Sequence, residues 1–243
     1  MYWQKWSERL KKELKLKTNP VSVTFTGPPA SETGSFDGKA SVCQALKRAG
    51  EGQDVSITAE TCGCPGGLVS LGLGQMPAEG KEKLVDFLVN KEKVYCSRMA
   101  IHRGQQTVQA PVGVASRIVF LPLSRAELLP DLVAFIGQPG SLHHLLSLAG
   151  YWEGRSMKAE LAGPTCRTGV TYPVVTGEIG LSLFDSGARR LAGFAEDQLL
   201  VSVPFHRMIG ILHALDQGVG REQKEEPESM ERQFEEFGKV EPV

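Results

Sequence analysis

Five cysteines, Cys43, Cys62, Cys64, Cys96 and Cys166, are the residues of this chain best suited to chemistry. A thiolate is a nucleophile and a soft-metal ligand, so its surroundings decide its use. Two of them sit in comparable settings, Thr61-Cys62-Gly63-Cys64-Pro65-Gly66-Gly67 and Pro164-Thr165-Cys166-Arg167-Thr168-Gly169. Leu68 to Leu73 has helical character, which places Pro65 just inside a helix start, where its missing N–H costs nothing. Cys64 then occupies the N-cap, where amide groups and the helix dipole favour an anion and lower a thiol pKa. Gly66 and Gly67 allow a ligand close to the backbone. Four thiolates drawn from Cys43, Cys62 or Cys64, Cys96 and Cys166 suit an iron–sulfur cluster or zinc. The Cys62-Gly63-Cys64 spacing is not a Cys-x-x-Cys knuckle, so such a site needs distant cysteines to converge.

Arginines form a second group. Arg167 adjoins Cys166, and Asp185-Ser-Gly-Ala-Arg189-Arg190 reads as a turn presenting guanidinium groups, with Cys96-Ser97-Arg98 as a rough counterpart. Guanidinium groups so placed clamp a carboxylate or phosphate. His206 and His213 share a helix face but lie two turns apart, too far for one metal without further ligands. His143 aligns with Cys43 when the two halves of the chain are compared. No nucleophile elbow, Walker loop, dinucleotide fingerprint or His-Glu-x-x-His occurs, which lowers the case for the common nucleotide and hydrolase chemistries.

The elements that must carry these residues read as alternating strands and helices. Residues 2–16 place Trp3, Trp6, Leu10 and Leu14 on one face of a helix with basic residues between them. Asn19-Pro20 ends it, and Val21, Val23 and Phe25 alternate as in a buried strand. The first segment has a counterpart. Val21 to Pro29 matches Asp131 to Pro139, Cys43 to Gly50 matches His143 to Gly150, and Val55–Glu60 matches Met157–Ala162, each of the last pair being a strand that runs into its cysteine. Arg117–Pro122 and Leu199–Pro204 are proline-ended strands, each followed by a helical stretch.

The shared order of elements predicts an α/β or α+β fold with a mixed sheet built from two internally duplicated halves. The expected segments are an N-terminal helix (1–18), a first half (19–129), a second half (130–219) and a charged tail (220–243). Met230, Phe234 and Phe237 are the apolar positions of a peripheral helix in that tail.

With 27 basic and 28 acidic residues, the charge balance gives no drive towards nucleic acid. No apolar run approaches the length of a membrane span. The first residues lack the apolar core of a secretory signal, and an odd cysteine count then suits reduced thiols in the cytoplasm. A homo-oligomer is compatible with the chain, with the Trp3/Trp6 helix and the tail as the places for an interface.

Taken together, Asn19 to Phe25, Cys64-Pro-Gly-Gly67 with Leu71-Gly-Leu73, Pro130 to Phe135 and Gly140 to Gly154 resemble the ArCR family (domain of unknown function 169). Cys166, Thr176-Gly177, Gly187-Ala-Arg189 and Val201 to Pro204 complete the resemblance, which spans about residues 8–218. It implies that Cys64, Cys166 and Arg189 are positions to test and brings no reaction with it. In that family a cysteine commonly precedes the Gly-x-Arg turn. Here Phe184-Asp185-Ser186 stands there, so a cluster needing that thiol would take Cys96.

Three readings follow. The first is a metal centre, an iron–sulfur cluster or zinc, on Cys64 and Cys166 with Cys43, Cys62 or Cys96. The second is a metal-free cleft between the halves, where Cys64, Gly66, Gly67, Cys166, Arg167 and Arg189 cradle an anionic metabolite or cofactor. The third is an enzyme with Cys64 as nucleophile.

Overall fold

The computed structural model describes residues 2–27, 38–105, 108–161 and 163–220. Its centre is one six-stranded sheet, β1 (Val21–Thr26), β2 (Val55–Thr58), β3 (Arg117–Pro122), β4 (Leu132–Gly137), β5 (Gly180–Ser182) and β6 (Leu199–Pro204), in the order β2-β3-β1-β4-β6-β5. Every pairing in it is antiparallel. The mixed sheet expected from the sequence is therefore corrected to an antiparallel one. The class is α+β, because the helices connect strands without the parallel crossovers that βαβ units require.

Side chains alternate across the sheet and build a core on each face. Val21, Val23, Val55, Ile57, Ile118, Phe120, Leu132 and Ala134 face one way, onto α2 (Val42–Gly50), and share their core with Cys166. Val133, Phe135, Val201 and Val203 face the other way, onto α1 (Tyr2–Glu13), α6 (Pro139–Glu153) and α9 (Phe205–Asp216). The N-terminal helix packs on its own domain: Leu10 and Leu14 are fully buried, and Trp3 meets Trp6 and Phe205 edge-on at 5.5 Å. The expected tail helix, with Met230, Phe234 and Phe237, lies outside the described residues.

Several matches between the halves do not hold. Residues 157–161 form no strand; the edge strand of that side is β5, which follows Cys166 instead of leading into it. Side chains hold the 155–160 stretch: Glu160 pairs with Arg167, and Met157 Sδ accepts from Arg207 Nη2 at 3.2 Å. Helix α6 runs through Gly150 and stops at the left-handed Gly154, and α2 ends with Glu51 as its cap. Moreover, α2 and α6 cover opposite faces of the sheet. A rotation that superposes strands in this mirrored order keeps matched helices on one face, so these two helices are not equivalent, and neither are Cys43 and His143.

One glycine fixes a tight approach. After α3 (Pro65–Ser70) the chain turns at Gly72, whose φ is 69°, and a Cβ there would lie 2.3 Å from the Pro111 carbonyl oxygen. Gly72 O also accepts from Gly113 N at 2.8 Å. Gly72→Ala is expected to destabilise the protein by roughly 3 kcal/mol. Gly140→Ala, where a Cβ meets nothing within 4 Å, is expected to be close to neutral. Urea unfolding midpoints of the two variants check this contrast.

Candidate functional site

The first-half cysteines are held by short elements above the sheet. Ser41 caps α2 reciprocally with Gln44, Ser41 Oγ accepting from Gln44 N at 3.2 Å and Gln44 Oε1 from Ser41 N at 2.9 Å. This capping box places Cys43 in the first turn. An isolated parallel bridge joins Ala40 to Cys62, with Ala40 N donating to Thr61 O and Gly63 N to Ala40 O. The strand-end loop is thereby fastened to the start of α2.

Cys64 is the N-cap of α3, as the sequence predicts, with Pro65 at the first helical position. Its Sγ accepts from Gly67 N at 3.5 Å, while Cys62 Sγ donates to Cys64 O at 3.3 Å. A Cβ on Gly67 would come 2.9 Å from Val42 Cγ2 and 3.7 Å from Cys62 Sγ. Its role is close helix packing beside the thiols. A Cβ on Gly66 would lie 3.8 Å from Cys64 Sγ.

Cys166 enters from the other side of the sheet order. It lies in the first turn of a helical segment that passes through a π-helical stretch, Arg167–Thr171, into α7 (Tyr172–Thr176). A buried bond ties this segment to α3, Ser70 Oγ lying 2.8 Å from Thr171 Oγ1. Beside it, Thr165 donates to Asp185 Oδ2 with both its backbone N and its hydroxyl, each at 2.8 Å. Asp185 Oδ1 accepts from Ala188 N at 3.0 Å, so the stretch expected to be an open turn is the capped start of α8 (Ser186–Ala192). Phe184, just before the cap, takes a left-handed φ of 57° and stacks on Phe194 at 3.7 Å. Such backbone strain persists only where packing enforces it. Here it directs Asp185 inward.

The structure thus brings Cys43, Cys62, Cys64 and Cys166 close enough to act on one another through charge, with Asp185 among them. Burial pushes the Cys166 thiol up to about 12, and Cys64, Asp185 and Cys62 add to the effect. Burial likewise raises Cys43 well above the usual thiol value, helped by Cys166, Asp185 and Cys64 and opposed by a hydrogen bond with Thr165. Cys62 is raised by burial and by the Cys64 charge, against the opposing hydrogen bond to the Cys64 carbonyl. These groups favour the neutral thiol unless a cation compensates them.

The remaining expected residues lie elsewhere or are already engaged. Cys96 is exposed, its sulfur 4.0 Å from Ser97 Oγ. Arg167 is buried, donating to Gly104 O at 2.7 Å and pairing with Glu160 at 2.9 Å. Arg189 donates to the carbonyls of Phe184, Leu183, Ala195 and Glu196, clamping the loops on either side of α8. His206 and His213 are exposed on α9, His213 lying edge-on to Trp152. Sequence reasoning passed over Thr165 and Asp185. The signal for Asp185 was its place before Ser-Gly-Ala, which is a helix N-cap pattern.

Among the described residues, no helix is long and apolar enough to cross a membrane. No solved structure matches the chain. An uncharacterised protein of Methanocaldococcus jannaschii, MJ0308, is 25% identical over 161 residues, an alignment covering 63% of this chain and 66% of the relative. The chain thus spans just under two thirds of that relative's length. The model of the family described as uncharacterised ArCR matches residues 9–214, which takes in the sheet and all four clustered thiols, and the chain belongs to that family.

Proposed function

We propose that Cys43, Cys62, Cys64 and Cys166 form a thiolate site for a soft metal centre, an iron–sulfur cluster or zinc. The observation that carries this reading is that Cys166 lies in the core against which Cys43 and Cys62 pack, with Cys64 joined to Cys62 through its carbonyl, four thiols from segments far apart in sequence. An all-sulfur donor set suits thiophilic ions and clusters. Such a centre stabilises thiolates that burial and mutual repulsion otherwise disfavour, and its binding releases their protons.

Among the described residues, no three His, Cys, Asp or Glu side chains stand in a metal-holding group. The Cys62 and Cys64 sulfurs bond instead to a carbonyl and an amide.

The other two readings have less support. Arg167 and Arg189 donate to carbonyls and Glu160, and the Asp185 carboxylate adds negative charge at Cys43 and Cys166. That environment favours cations over an anionic metabolite. The sheet halves are read as related units on strand order alone.

The protein purified without oxygen is expected to carry stoichiometric iron with visible sulfur-to-iron absorbance, or stoichiometric zinc, by elemental analysis. Cys166→Ser is expected to lose it. A colourless, metal-free wild-type protein with all five thiols titratable overturns the proposal.

A further inference from the structure

Helix α1 carries a polar stripe beside its apolar one. Trp3, Leu10 and Leu14 pack into the core, whereas Gln4, Ser7, Glu8 and Lys11 recur at the i, i+3, i+4, i+7 spacing that aligns side chains on one helix face. This stripe forms one wall of a cleft of about 470 Å³, within the size range of small-molecule sites. The opposite wall is Asn19 with Ser124 and Arg125, the last two in the 3-10 turn Leu123–Arg125 that follows β3. Leu123 N donating to Pro20 O at 2.7 Å and Ala126 N to Leu123 O at 3.1 Å fix that turn. Helix α1 packs on the sheet face opposite the core that holds Cys166, so the cleft is separate from the thiols.

Two opposite charges line this cleft without pairing. Glu8 and Lys11 are three residues apart on α1, a spacing that permits an ion pair, yet among the described residues neither belongs to one. Each is held instead by a neutral amide, Gln4 Nε2 donating to Glu8 Oε1 at 3.1 Å and Lys11 Nζ to Asn19 Oδ1 at 3.0 Å. Asn19 is itself anchored, its Nδ2 donating to Gly50 O at 3.2 Å. Arg125 differs, because Asp54 at 2.8 Å already balances its charge and Gly52 O accepts from it. Ser7 adds an independent observation. The residue is 4% exposed and lines the cleft, and among the described residues no group bonds to its hydroxyl. A buried polar group left without a partner costs free energy, which a bound molecule with a matching group recovers. A simple anion here would meet Lys11 but also the Glu8 carboxylate, and a simple cation would meet the reverse. A molecule carrying both an ammonium and a carboxylate suits both charges at once.

We propose that this cleft binds a free α-amino acid, with its ammonium on Glu8, its carboxylate on Lys11 and the Ser7 hydroxyl, and a polar side chain towards Ser124 and Arg125. The proposal goes beyond the thiol site and depends on none of its residues.

The probes are the individual protein amino acids, titrated calorimetrically at millimolar concentration into the full chain, followed by the N-acetyl and carboxamide forms of the one that binds. A polar amino acid is expected to bind. Its N-acetyl form, which lacks the ammonium, and its carboxamide, which lacks the carboxylate, are each expected to bind about 10- to 100-fold more weakly, the worth of hydrogen bonds to charged groups. Glu8→Gln is expected to weaken the amino acid by a similar factor and to abolish the preference over the N-acetyl form. Lys11→Met is expected to abolish the preference over the carboxamide. If these side chains serve folding alone, the variants shift the melting temperature and leave both preferences intact, and that result overturns the proposal. So does a chain that binds none of the amino acids, or one that binds acetate or the N-acetyl form as tightly as the amino acid. Glu8 is exposed, so E8Q still decides the matter should K11M fail to fold.

Discussion

Replacing Arg207 by alanine is expected to lower the unfolding free energy by about 3–5 kcal/mol, the usual consequence of removing one partner from a buried ion pair. Arg207 projects from α9 with its side chain 5% exposed. It grips both carboxylate oxygens of Glu153 at the end of α6, reaches Glu178 Oε2 at 3.1 Å, and donates to Gly177 O at 3.3 Å. Arg155 bridges the same two glutamates from outside, at 3.0 and 3.1 Å. Deleting Arg207 leaves Glu153 in a half-closed pocket with only its outer partner. Hydrogen bonding to Arg207 foremost holds the Glu153 carboxyl below the usual range, and hydrogen bonding to Arg155 foremost does so for Glu178.

The sign of the pH dependence follows. A carboxyl whose folded pKa is depressed contributes stability above its unfolded pKa, about 4.3 for glutamate, and loses it as pH falls through the folded value. The gap between wild type and R207A in urea unfolding is therefore expected to be full at pH 7 and to shrink in acid below about pH 4. Equal midpoints at pH 7 would show that the network contributes nothing.

At pH 8 the Cys166 thiol of the folded, metal-free chain is expected to react with iodoacetamide roughly a thousandfold more slowly than in the unfolded chain. The thiolate is the reacting form, and burial moves this thiol from the usual 9.0 to about 12. Exposed Cys96 is expected to be alkylated first. Peptide mapping by mass spectrometry over time gives the order directly, and modification of Cys166 as fast as Cys96 refutes the buried, neutral thiol. Because the folded pKa lies above the unfolded one, the associated stability is complete below about pH 9 and is lost as pH rises towards 12.

How far the sequence carried this picture varied with the kind of physics involved. Strands β3 and β6 were readable to the residue because apolar runs ended in proline mark their own limits. The Cys64 cap was readable for the same local reason, proline followed by two glycines. Strand direction was not, because it depends on which segments pair across the molecule. The 155–160 stretch shows the difficulty: its strand-like pattern was overridden by Glu160 and Met157 binding distant arginines. Of the candidate ligands, Cys43, Cys62, Cys64 and Cys166 converge while Cys96 does not, a distinction that spacing along the chain could not make. Thr165 was invisible for a related reason. Its hydroxyl acquires significance only when Asp185 and Ser182 arrive beside it.

The seam between β1 and β4 is short, pairing only Val21 to Val23 with Leu132 to Ala134. By contrast β1 pairs with β3, and β4 with β6, along their full lengths. The chain is thus sewn more tightly within each side than across the middle, and Cys43, Cys62 and Cys64 lie to one side of that seam in sequence while Cys166 lies to the other. An ion grasped by all four would act as a clasp over this short central seam. Its binding free energy would then be added to the cohesion of the whole molecule, so that the occupancy of one small site would set how readily the two sides part.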